Sequence, residues 1–186
     1  MALRAATVAL ASTMVIAASR PAHADAWTPT TFVGPTGATA HGLATPAAGD
    51  PGVRLLVGCE SGKDSWRGIA LLETAPTAPT PGDRSARTEV STAFFGRAAV
   101  TSAWPSKVTS DGVLSWDEAS DELRRGMLRE DQTRGQATLH VVLRRGETTR
   151  ELAFGVDGLG ARSPELAAQC DGWGAGGTSK RRERGW

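Results

Sequence analysis

Apolar side chains recur at every second position along several stretches of this chain. Val53, Leu55, Val57 and Cys59 fall on one phase, which predicts a strand with Cys59 on its apolar face. Residues 60–64 form a tight polar connection, and residues 66–73 return as a second strand, so the pair reads as the clearest hairpin of the first half. Ala137, Leu139, Val141 and Leu143 alternate in the same way, residues 144–147 turn, and Leu152, Phe154 and Val156 alternate again. Weaker signals place extended segments near 27–33 and 38–44 and strands around 86–95 and 97–104.

Two segments follow a helical period instead. In residues 116–131, Ala119, Leu123 and Met127 stack at i, i+4 and i+8; acidic residues come first and Arg124, Arg125 and Arg129 later, as the helix dipole favours. Gly126 weakens that helix. Ser163-Pro164-Glu165 has the form of a helix start, with Ser as cap and Pro at the first helical position. The short helix over 163–170 then puts Leu166 and Cys170 on one face. Pro-rich residues 74–84, Asp111-Gly112 and Gly158-Leu159-Gly160 break the pattern. The expected fold class is therefore α+β and β-rich: an antiparallel sheet or sandwich with one mid-chain helix and a short C-terminal helix.

The first 24 residues change the picture. Arg4 is a short basic start, Ala5 to Ala18 are apolar, and Ala22-His23-Ala24 has the small-x-small form of a signal-peptide cleavage site. Cleavage after Ala24 leaves 162 residues, the size of one domain. The expected organisation is a signal peptide over 1–24, a single β-rich domain over 25–170 and a disordered basic tail over 171–186, in a periplasmic or secreted protein. Nothing after the leader approaches the roughly 18 apolar residues of a membrane span. Without Arg4 and Arg20, 19 basic side chains face 20 acidic ones, a balance that argues against nucleic acid as partner. The basic cluster that remains, Lys180, Arg181, Arg182 and Arg184, belongs to the tail and is suited at most to touching anionic surfaces.

Export bears on the two cysteines. In an oxidising compartment Cys59 and Cys170 most simply form one disulfide. A metal site would want three or four ligands, and the mature chain adds only His41 and His140. A redox pair would favour C-x-x-C spacing. The expected bridge would set the C-terminal helix against the first hairpin.

The remaining motifs carry little chemistry. Residues 61–65, SGKDS, match neither a Walker A loop nor a pyrophosphatase loop, and a strand rather than a helix follows. The segment 58–62 has its serine one place too late for G-x-S-x-G. Asp117 with Glu118, and Asp121 with Glu122, read as the acidic start of a helix. Trp27, Trp66, Trp104 and Trp116 read as packing groups. No catalytic, cofactor or metal residue is assigned.

The leader, Trp27, the LLVGC strand, the hairpin with Trp66, the mid-chain helix, the LHVVLRRG strand and the final pattern of Phe154, Gly158, Leu159, Leu166 and Cys170 are together similar to the periplasmic VasI/TagO-like proteins associated with type VI secretion. The resemblance spans roughly residues 27–170. It implies a small β-rich periplasmic accessory domain with its two cysteines bridged. The expected function is thus a non-catalytic accessory or binding module that contacts a protein partner in the cell envelope. The alternative is a small secreted hydrolase that pairs His41 or His140 with a serine or carboxylate.

Overall fold

The computed structural model describes residues 27–61, 66–74, 87–118, 121–134 and 137–170. The expected leader, its cleavage point, most of the Pro-rich segment, the SGKDS turn beyond Ser61, Ala119 and the basic tail lie outside these residues. Nine strands and two helices follow one another as β1 (Thr28–Val33), β2 (Thr39–Ala47), β3 (Asp50–Glu60), β4 (Arg67–Glu73), β5 (Arg87–Phe94), β6 (Val100–Thr109), β7 (Gly112–Trp116), α1 (Asp121–Arg134), β8 (Thr138–Arg145), β9 (Thr148–Gly155) and α2 (Leu159–Gln169). The α+β, β-rich antiparallel architecture with a mid-chain and a short C-terminal helix is as the residue pattern predicts.

All strands pair antiparallel in the order β1-β2-β3-β4-β7-β6-β5-β8-β9. The sheet folds into two layers at β6. Residues 100–105 of β6 pair with β5, whereas Ser106–Thr109 pair with β7. Pro105 stands at the change of partner, where its missing amide and fixed φ suit a strand that bends from one layer to the other. The front layer holds β1, β2, β3, β4, β7 and the second half of β6; the back layer holds the first half of β6 with β5, β8 and β9. A bond from the Ala48 amide to the Ala153 carbonyl (2.8 Å) brings the far side of the front layer to β9. Leu43, Leu55, Val57, Ile69 and Leu71 meet Val90, Leu139, Val141 and Phe154 between the layers, with Trp27 and Trp104 among them, all buried.

The front layer has a second core on its other face. Phe32, Ala40, Ala44, Leu56, Ala70, Leu72 and Leu114 are buried there, and Trp66 and Trp116 pack against them. A strand with both faces covered is apolar throughout, which accounts for Leu56 and Leu72 falling off the alternating phase. Beside these large groups the same face carries glycines where β2 and β3 approach closely. Gly42 and Gly58 stand opposite each other in the β2–β3 register. A Cβ on either would lie 2.4 Å from a carbonyl oxygen across the strand pair, so neither position has room for one.

Coiling brings two distant corners together. The Val33 amide donates to Asp111 Oδ2 (2.9 Å), which ties the end of β1 to the β6–β7 turn. Glu60, buried at the end of β3, accepts from the amides of Thr36 (2.8 Å) and Trp66 (3.3 Å) and secures the β1–β2 connection. The outer edge of β1 is blunted as well. Pro29 has no amide, and Val33, in the same phase, has spent its own on Asp111.

Both helices start away from the predicted positions. α1 begins at Asp121, not at Trp116. Residues 112–116 are strand β7 instead, and the Asp117 amide still donates to the Ile69 carbonyl (3.0 Å), holding the chain on β4. α2 begins at Leu159, so Ser163 is no cap and Pro164 lies inside the helix. The carbonyl of Gly160 would ordinarily receive the amide of residue 164, which proline lacks; the Ser163 hydroxyl donates to it instead (2.9 Å). The cap comes from α1: Asp131 accepts the amides of Gly158 (2.8 Å) and Gly160 (2.7 Å). At its other end α2 is covalently held. Cys59 and Cys170 form a disulfide with Cα atoms 5.8 Å apart, which ties the end of the helix to β3, while the body of the helix lies against β2 and α1 rather than along strand 53–59.

Candidate functional site

Where β6 leaves β7, the two layers part and a groove opens. β7 stays with β4 through Asp117, while the first half of β6 turns away with β5. α1 bridges the gap. The resulting groove, about 420 Å³, is floored by Phe94, Trp104 and Leu123. Trp104 is buried and its indole N–H is fixed on Ser102 Oγ (2.9 Å), so the aromatic floor is held in place. Val100, on the groove wall, is 63% exposed, and Phe95, just beyond it in the β5–β6 turn, is 79% exposed. An exposed valine on the wall of an apolar groove is the kind of feature that binds partners, and Phe95 adds a second exposed apolar group in the adjoining turn.

Charge is distributed unevenly along the α1 side. Asp117 and Glu122 line the groove near the start of the helix, Arg125 and Arg129 further along. Arg97, at the β5–β6 turn, forms an ion pair with buried Glu130, which fixes that turn to α1. Gly126 admits the close approach of Phe94: a Cβ there would stand 3.3 Å from the ring. The glycine that weakens the helix by propensity is therefore the contact point between α1 and β5.

A second cluster of polar groups lies at the opposite end of the sandwich. Glu73 accepts from Arg145 (2.7 Å) and from Arg150 (2.8 Å), and Arg150 also pairs with Asp50. Arg145 reaches Thr88 Oγ1 (3.1 Å), and the hydroxyls of Thr88, Ser106 and Ser115 continue as a chain at 2.7 and 2.8 Å. Two arginines from the back layer thus meet two carboxylates from the front layer, and the charges cancel. Such a closed set is a polar lock between layers: its donors and acceptors are turned on one another.

The candidate chemistry of the hydrolase alternative is not gathered in one place. His140 is exposed on β8, opposite Ala93. His41 is half-buried on β2, opposite Cys59, in the other layer. Neither ring hydrogen-bonds to a serine or carboxylate among the described residues. Of the acidic pairs, Asp117 and Glu122 line the groove, and Glu118 is exposed. Among the described residues no three His, Cys, Asp or Glu side chains converge to hold a metal ion, and no helix is long and apolar enough to cross a membrane.

The groove residues were not singled out by the sequence, where Trp104 reads only as packing. The signal that could have found them is Phe94-Phe95. Neighbours in a strand point to opposite faces, so two adjacent phenylalanines at the end of a half-solvated strand require one of them to stand in water.

The class of protein defined here is a two-layer antiparallel β-domain, disulfide-linked, with a helix-walled groove at the seam between its layers. Comparison of the chain with protein-family profiles, with curated proteins and with solved structures finds no match.

Proposed function

We propose that this chain is a non-catalytic accessory module of the cell envelope, exported through its leader, that binds another protein at the groove between α1 and the β5–β6 hairpin. The observation that carries this reading is the pairing of a rigid aromatic floor with exposed Val100 on the groove wall, next to a turn that also leaves Phe95 in water. An ordered apolar cleft with a mixed charged rim is the anatomy of a recognition surface. The disulfide suits an oxidising compartment. The resemblance to periplasmic VasI/TagO-like proteins points to the same kind of role, associated with secretion or with the envelope.

Site-specific photo-crosslinking in the producing cell tests the reading. A benzophenone amino acid at Val100 or Phe95 should yield one discrete protein adduct, and the same group at Thr149, exposed on β9, should not. Adducts absent at both groove positions, or equally abundant at Thr149, would overturn it.

A further inference from the structure

The groove has a feature that side chains alone do not express. Residues 100–105 of β6 are paired on one side, with β5, and among the described residues no strand pairs with their other side. Every second residue of an antiparallel strand turns its amide and carbonyl away from a given neighbour. This half of β6 therefore presents unpaired backbone donors and acceptors along the seam where β7 would lie had it continued past Trp116. Val100, Thr101, Ser102 and Ala103 are all exposed, so the edge is accessible. It also lacks the usual protections. Pro105 stands only at its far end, and no charged side chain occurs between Val100 and Pro105. The edge of β1, by contrast, is blunted by Pro29 and Asp111.

Resting on the reading of the groove as a protein-binding site, we infer that the partner contributes an extended peptide segment that adds to β6 as a further strand. Backbone hydrogen bonds to residues 100–104 supply a general attraction, and alternate side chains of the segment select it. One set enters the groove, where Phe94, Trp104 and Leu123 require apolar groups. The rim sets direction. Glu122 and Arg129 are seven residues apart on α1, roughly 10 Å along the helix, about the span of three residues of an extended peptide. Neither makes a side-chain ion pair among the described residues, so both are open to a partner's charges. The segment that fits places an acidic side chain beside Arg129 and none beside Glu122.

The test uses the mature, oxidised chain and octapeptides selected against it from a displayed library with alternating apolar positions. Binding is read by the change in intrinsic tryptophan fluorescence and by titration calorimetry. Peptides that bind in the groove should lose at least tenfold in affinity with Leu123→Arg. Methylation of the peptide's backbone nitrogens, one at a time, should cost at least tenfold at alternate residues and little at those between. Arg129→Glu should weaken peptides that carry the acidic residue and leave those without it unchanged. Peptides blocked by Leu123→Arg but indifferent to N-methylation would overturn strand addition and leave the groove as a binding site. Peptides unaffected by Leu123→Arg, in a protein whose circular dichroism is unchanged, would overturn the groove itself.

Discussion

The backbone amide of Val33 donates to the carboxylate of Asp111, 78 residues further along the chain, at 2.9 Å. The bond joins the β1–β2 and β6–β7 corners, which lie diagonally across the front layer. Strand twist bends opposite corners of a sheet toward one face, and here the corners come within hydrogen-bond distance. The second core, with Leu56, Leu72 and Leu114, is enclosed as a consequence.

Replacing Asp111 by Ala should therefore cost about 1–3 kcal/mol, because it leaves the Val33 amide without its acceptor. Urea unfolding should show a lower midpoint with an unchanged slope, and the Val33 amide should exchange faster. Asp111→Asn, which keeps an acceptor, should recover part of the loss. Parent-like stability in Asp111→Ala would mean that the corner contact contributes nothing.

Glu73 holds two arginines at once and is itself buried. Glu73→Gln removes the charge that both face. Breaking a buried pair costs about 3–5 kcal/mol, and the side chains of Arg145 and Arg150, 21% and 26% exposed, place this case at the low end. Raising salt should change the difference little, since screening acts weakly on buried pairs. A loss below about 0.5 kcal/mol in thermal or urea unfolding would show that the lock is dispensable.

Ser163 and Pro164 should be coupled. With proline present, Ser163→Ala leaves the Gly160 carbonyl without a donor and should cost about 0.5–1.5 kcal/mol. In a Pro164→Ala background the restored amide reaches that carbonyl, so the same serine change should cost distinctly less. A double-mutant cycle measures the difference; equal costs in the two backgrounds would refute the substitution of hydroxyl for amide.

The Cys59–Cys170 bond should be worth roughly 2–5 kcal/mol to the folded chain. The Cys59→Ser and Cys170→Ser double variant should fall by that amount in denaturant unfolding. Intact protein under non-reducing conditions should weigh two hydrogens less than its reduced form. Two alkylatable thiols in protein purified without reductant would contradict the bridge.

Much of the β-framework could be read in advance, because alternation is a local property. Strands 137–143 and 152–156 bury one face, and the phase of Leu139 or Phe154 records that directly; strand 53–59 is covered on both faces, but Val53, Leu55 and Val57 still mark the face toward the main core. β7 was not read. Val113 and Leu114 are both buried although neighbours in a strand point to opposite faces, so its five residues show no alternation, and the acidic run after Trp116 resembles a helix start. The true starts of both helices were also hidden, since each depends on a distant partner: Ile69 keeps Asp117 on the sheet, and Asp131 caps α2 four residues before the serine that looked like its cap.

The sequence by itself thus determined most of the strands and the presence of both helices, though not β7 or where the helices begin, and it supported both the pairing of the two cysteines and the packing character of the tryptophans. These follow from side-chain periodicity, from residue counts and from the chemistry of single residues. The tertiary structure alone decided that the sheet folds at Pro105, that its front layer coils around a second core and that β6 parts from β7. Each of these depends on which strands become neighbours, and neighbours in a sheet are chosen by contacts between residues tens of positions apart. The groove is a product of that choice: Phe94, Val100, Trp104 and Leu123 meet only because the first half of β6 follows β5 into the back layer while β7 stays in the front one.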